Sequence, residues 1–319
     1  MLLTPEIVTI SILNILFVIF ASIAFYFSLK IVLKYDYNAT TTLQYSLEKQ
    51  GYLVATIIKF IFFIKVVLFI FFVFTLDNIS TILPGAMCGA GVVNATPYGT
   101  YLLILKILNL YLFAYWLVLH NEDMHSENQK YFKLKFQIFL VAYILLLIEI
   151  SLESIMFFSI DTKSVVDCCG AIFSTTDGTY MSTLLNIKHS ILLSLFYGVF
   201  FLMFLAYMLK NRYIYALLNV VFVIISLLSL IAYFGTYIYE LPTHHCPFCL
   251  LQKDYDYIGY FLYIFLFIGT FQGLLVGLID FSKRKESAKY KISLFFNTLY
   301  VLFVSYYPLS YYIKNGVWL

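Results

Sequence analysis

The sequence predicts an all-α fold, a polytopic membrane helix bundle of about eight transmembrane helices. Three observations carry that prediction. Of the 319 residues, 62% are hydrophobic, 20% aromatic and 12% charged, a balance outside the range of soluble domains. Apolar runs of about 20 residues, enough to cross a roughly 30 Å hydrocarbon layer as helix, fall at 7–29, 52–76, 100–120, 136–159, 189–209, 213–237, 257–280 and 292–313. The basic residues are distributed unequally between alternate connections. The segments 30–51, 121–135, 210–212 and 281–291 hold 3, 3, 2 and 5 Lys or Arg, whereas the opposite set holds Lys163, Lys188, Lys253 and Lys314. By the positive-inside rule, the first set is cytoplasmic and both termini are extracytoplasmic.

The chain reads as one integral membrane domain over 1–319. Its first span has no basic residue before it and is followed by Lys30 and Lys34, the pattern of an uncleaved first helix rather than a signal peptide. Net charge is +3 with no basic block, which argues against a nucleic-acid partner and leaves the lipid bilayer as the evident one. A larger membrane complex is compatible with this organisation.

All five cysteines, Cys88, Cys168, Cys169, Cys246 and Cys249, fall in connections on the predicted outer side. Thiols restricted to an oxidising face point to disulfide or metal chemistry, and an odd count leaves one without an intrachain partner. Two of these connections resemble each other: both residues 88–101 and 169–180 carry Cys-Gly-Ala and, further on, Gly-Thr-Tyr ahead of a predicted helix. Cys88, Cys169 and Cys249 are 81 and 80 residues apart. The spacing suggests three repeated helical hairpins, about 52–120, 136–209 and 213–280, each with a cysteine loop at its tip. The first of these loops, around Met87 and Cys88, is glycine-rich and lacks the Lys-Ser/Thr of a phosphate loop.

Lys65, Lys106, Glu149 and Glu153 lie well inside predicted spans, where an unpaired charge costs several kcal/mol, whereas Lys59, nearer the cytoplasmic end of its span, can snorkel. Glu149 and Glu153 are four apart and share a helix face. At about 1.5 Å of rise per residue, Glu153 and Lys106 sit at one depth and Glu149 and Lys65 at a deeper one. The expectation is two ion pairs, Lys106 with Glu153 and Lys65 with Glu149, with a proton path as the functional alternative. On the cytoplasmic side, Glu122, Asp123, His125 and Glu127 beside Lys130, Lys133 and Lys135 read as a solvated face.

The segment around which the chain is organised is His244-His245-Cys246-Pro247-Phe248-Cys249-Leu250-Leu251-Gln252-Lys253. A C-x-x-C pair brings two sulfurs within bridging range, and a following helix N-terminus would stabilise a thiolate. Pro247 suits the first turn of such a helix. Cys246 is expected to be the more exposed, attacking thiol and Cys249 the resolving one, with Cys88, Cys168 and Cys169 as exchange partners. Leu250 in place of His argues against covalent haem.

These residues resemble a segment of DsbB-type membrane disulfide oxidoreductases, in which Cys-x-x-Cys-x-x-Glu/Gln-Arg opens a helix at the outer face. Vitamin K epoxide reductases carry a comparable C-x-x-C beside a quinone. The resemblance covers about ten residues. It implies a quinone as electron acceptor near Gln252 and Lys253, and an extracytoplasmic thiol protein as partner. Those families form four-helix bundles and have a second, well-separated cysteine pair, whereas Cys168 and Cys169 are adjacent here.

Two other uses of the cysteines remain open. A soft metal such as Cu(I) would find thiolates together with Met87 and His244 or His245, although Met156, Met203 and Met208 read as packing residues rather than a conducting path. Alternatively, the cysteines form structural bridges, each worth about 2–4 kcal/mol, in a transporter or membrane subunit.

Overall fold

A computed structural model of the chain describes residues 4–37, 39, 41–126, 129–166 and 187–319. Among these the fold is all-α, with eight helices long and apolar enough to span a membrane. They are α1 (Pro5–Lys34), α2 (Thr42–Ser80), α4 (Gly99–Met124), α5 (Phe132–Ser159), α6 (His189–Met208), α7 (Arg212–Tyr239), α8 (Ile258–Leu278) and α9 (Lys283–Asn315), with a short α3 (Gly89–Asn94) between α2 and α4. On α1 the inward residues Ile7, Ile10, Asn14, Phe17, Ala21, Ala24, Ser28 and Ile31 recur every three or four positions. The rest of the helix presents Ile, Leu and Phe outward. That inversion of the soluble pattern is what a bilayer solvent permits.

Where the sequence reads as one membrane domain, the chain folds as two compact units, Met1–Pro84 with Val92–Ser164, and Gly85–Gly91 with Val165–Leu319. The expected hairpin 136–209 thus gives its first helix to one unit and its second to the other.

In the first unit α1 packs on α2 and α5, and α4 packs on the same two helices. Aromatic rings fill the centre: Phe62 stacks on Phe113 at 4.3 Å and meets Trp116 edge-on. The polar stretch after α4 is not the solvated face expected. Asp123 and Lys135 are fully buried and paired at 2.7 Å, Asp123 also accepts from the Tyr131 N–H at 2.9 Å, and the Trp116 indole donates to the Lys135 carbonyl at 2.7 Å. Burial becomes tolerable because each charge finds its opposite and the second carboxylate oxygen is satisfied. His125 and Lys130 stay exposed, and Glu127 lies outside the described residues.

In the second unit α6, α7, α8 and α9 pack in succession. Gly269, Gly273 and Gly277 line one face of α8, where a Cβ would overlap Asn297, Asn219 and Ala216 respectively. Small residues allow this close approach, and the amides bond between helices. Asn297 donates to the Asn219 Oδ1 at 3.1 Å, and the Tyr215 hydroxyl donates to the Ser293 Oγ at 2.8 Å. One π-helical turn, Leu230–Phe234, interrupts α7.

Candidate functional site: a buried three-sulfur cluster

Two stretches of the second unit build the site, the loop 85–91 and the connection 240–257. Gly85 adopts a φ of +87° and presses against the Val166 carbonyl, where a side chain would not fit. Glycine supplies the left-handed conformation without steric cost. The turn closes when the Gly91 N–H bonds the Cys88 carbonyl at 3.0 Å, and it leaves the Cys88 side chain wholly buried while Met87 is 74% exposed.

The connection after α7 is held by side chains that donate to its backbone. His245 bonds through Nδ1 to the Ile231 carbonyl of the π turn at 3.0 Å, and a widened turn leaves carbonyls free for such a partner. The Tyr239 hydroxyl donates to the Cys246 carbonyl, and the Tyr263 hydroxyl to the Pro247 carbonyl at 2.8 Å. Gln252 reaches across and donates through Nε2 to the Met87 carbonyl at 3.0 Å, tying the two stretches together.

The consequence is a convergence of sulfur. The Sγ atoms of Cys88, Cys246 and Cys249 all lie within 4.8 Å of one another, every one buried. Cys88 Sγ and Cys246 Sγ, 158 residues apart in sequence, are 3.5 Å apart. Beside them His244 stands edge-on to Tyr239 at 4.4 Å between ring centroids, and its Nε2 is buried with no hydrogen-bond partner among the described residues. Burial lowers the pKa of His244 from its ordinary value, an effect opposed by the nearby Cys88 sulfur. Burial likewise lowers that of His245, against the bond to Ile231. Both rings are therefore neutral at pH 7.

Two expectations need correction. Cys246 is not the exposed thiol: it is 1% accessible, against 5% for Cys249. The C-x-x-C does not open a membrane helix either. Cys249 begins a three-residue 3-10 turn, a second such turn follows at Lys253–Tyr255, Asp256 and Tyr257 are left-handed, and α8 begins only at Ile258. Any helix-dipole stabilisation of a thiolate is accordingly removed from the motif. The Gln252 side chain donates to the Met87 carbonyl, and Lys253 is exposed. Cys168 and Cys169 lie outside the described residues.

The intramembrane charges form a separate group in the first unit. Lys65 is 3.0 Å from Glu149, and Lys106 is 2.9 Å from both Glu149 and Glu153. Asn14 and Asn109, which sequence reasoning passed over, complete it. Asn14 donates to Glu153 at 2.8 Å and accepts from Lys65 at 3.1 Å, which closes a ring, and Asn109 donates to Glu149 at 2.6 Å. The available signal was an isolated amide within each apolar helix. Phe69, Leu110 and Phe113, among others, line a small cavity beside Lys65, Lys106, Asn109 and Glu149.

Comparison of the chain with protein-family models, with curated proteins and with solved structures finds no match.

Proposed function

We propose that the protein exchanges disulfides at the membrane boundary, with Cys88, Cys246 and Cys249 as a three-thiol relay. The observation that carries this is the 3.5 Å separation of the Cys88 and Cys246 sulfurs, about 1.5 Å from covalent distance. Three sulfurs are the smallest set that holds one disulfide and still supplies a thiolate to attack it. From the state bridged between Cys246 and Cys249, the Cys88 thiolate attacks the Cys246 sulfur. The bond between Cys88 and Cys246 forms, the bond between Cys246 and Cys249 breaks, and Cys249 leaves as a thiolate that takes a proton. His244 is the titratable side chain whose electrostatics couple to Cys88, and we propose it as the group that takes the Cys88 proton once its ring turns toward the sulfur.

Full reduction or oxidation of the relay transfers two electrons and two protons to or from a protein disulfide or dithiol. The Lys and Arg asymmetry supports an extracytoplasmic setting for this chemistry. A membrane quinone as the further acceptor rests on the resemblance alone. Burial of all three sulfurs means that the outside partner gains access through movement of one of the two loops.

Alkylation under acid quench, followed by peptide mass spectrometry, tests the relay. Oxidised wild type is expected to contain a bridge between Cys246 and Cys249, and Cys249→Ser to accumulate one between Cys88 and Cys246. If neither form yields a bridge involving Cys88, the relay is wrong. If replacing all three cysteines by Ser changes only the melting temperature of the protein, the cysteines are structural. A membrane-impermeant maleimide applied to intact and to opened cells, after reduction, reads the sidedness.

A further inference from the structure

We infer that the reduced cluster is also a binding site for a thiophilic d10 cation of the Zn(II) class, with Cys88, Cys246 and Cys249 as thiolate ligands and His244 Nε2 as the fourth. Zn–S bonds of about 2.3 Å in a tetrahedron place neighbouring sulfurs about 3.8 Å apart. The spacings here, 3.5 Å between Cys88 and Cys246 and 4.8 Å as the upper limit among the three, bracket that value, so an ion is accommodated by small side-chain adjustments. The C-x-x-C spacing supplies two ligands from one turn, as in structural zinc sites, and the loop 85–91 supplies the third.

His244 gives the independent pointer. An imidazole nitrogen buried without a partner forfeits its hydration, and Nε2 of His244 is in that position while its ring is coupled to Cys88. Nε2 is not among the ligand atoms that already lie within 4.8 Å of one another, so its recruitment as the fourth ligand requires rotation of the His244 side chain toward the sulfurs. His245 is less suited, because Nδ1 is engaged by the Ile231 carbonyl. Met87, whose side chain is exposed, is not part of the set.

The surroundings are those of a pre-arranged ligand loop. Tyr239, Tyr263 and Gln252 fix the carbonyls of Cys246, Pro247 and Met87, and restraint of this kind sets ligand orientation and affinity. Binding releases the thiol protons to water and leaves three thiolates partly neutralised by the dication, so affinity rises with pH. Four protein ligands close the coordination shell, which suits holding an ion rather than activating water. Ligation and disulfide formation compete for the same sulfurs. The two activities therefore belong to different states of the site, and either can stand without the other.

Co(II) is the probe, added to full-length protein kept reduced by a phosphine in detergent without oxygen. One equivalent is expected to give intense thiolate-to-metal charge-transfer absorption and the d–d bands of a tetrahedral site, both lost on addition of Zn(II). Cys88→Ser is expected to remove about a third of the charge-transfer intensity, one thiolate of three. His244→Ala should shift the d–d bands and weaken binding by roughly 10–100-fold, the range seen when metal-site geometry is disturbed. In wild type, Zn(II) should slow alkylation of Cys88, Cys246 and Cys249, a readout that needs no variant. Absence of charge-transfer absorption in reduced wild type that still melts cooperatively overturns the proposal, as does alkylation indifferent to Zn(II). Failure of the relay is seen separately, in oxidised metal-free protein that forms no bridge to Cys88.

Discussion

His244 and His245 are adjacent in the chain, yet their rings have different partners. His245 is fixed by its bond to Ile231, while the Nε2 of His244 is buried without one. What they share is burial, which lowers both pKa values relative to an unfolded reference near 6.5. Above that value the folded and unfolded chains are both neutral at these positions, and nothing is lost. As the pH falls through it, the unfolded chain binds protons that the folded chain refuses, so stability declines toward the lower folded values. The melting temperature in detergent should fall between about pH 7 and pH 5, a window set by the ordinary histidine value. The double variant His244→Phe with His245→Gln should flatten that slope, and an identical slope in the variant would place its origin elsewhere. That cysteines from separate connections meet was anticipated from the sequence, but the accessibility of each cysteine was not legible. Whether Cys246 faces solvent is decided by Tyr239 and Tyr263 gripping the backbone around it, contacts from residues 7 and 16 positions from their acceptors.

At the scale of the element, α8 shows what hydropathy reveals and what it hides. Its apolar run was legible, because any helix in lipid must satisfy its backbone internally and present hydrocarbon outward. Its start was legible too, expected at 257 and found at Ile258, but the join to the C-x-x-C was not, because the left-handed Asp256 and Tyr257 and the two 3-10 turns before it are local bonding choices without a hydrophobic period. The purpose of its glycines needed neighbours to be seen. A Cβ at Gly273 would overlap the Asn219 amide, whereas one at Gly198 on α6 meets nothing within 4 Å. Gly273→Ala should therefore cost about 1–3 kcal/mol by forcing α7 from α8. Gly198→Ala should be neutral or stabilise by roughly 0.5–1 kcal/mol through helix propensity. Thermal unfolding of the two variants side by side checks the contrast, and equal effects would remove the packing argument.

Across the whole molecule, the sequence was most legible where the bilayer imposes a single solution and least where partners are chosen between distant helices. Eight spans followed from length and hydropathy, and the depths of Lys65, Lys106, Glu149 and Glu153 followed from helical rise. The closure of that group by Asn14 and Asn109, the shared position of Lys106 between two carboxylates, the burial of Asp123 with Lys135 and the division into two units all depend on tertiary neighbours. The ring has an energetic consequence that separates it from a sum of pairs. It joins α1, α2, α4 and α5 through Asn14, Lys65, Lys106, Glu149 and Glu153. Removing one member leaves its partners charged and dry, whereas removing every charge leaves an apolar interior. Glu149→Leu leaves the Lys65 charge with only the neutral Asn14 amide and Lys106 with Glu153 alone, and is expected to cost about 3–5 kcal/mol. The quadruple variant Lys65→Met, Lys106→Met, Glu149→Leu and Glu153→Leu should cost less than that single change, because no ion is left uncompensated. Unfolding by a denaturing detergent, titrated into the mild one, gives the comparison. Were the four single effects to add up to the quadruple effect, the residues would be acting as independent contacts and the ring would have no collective role.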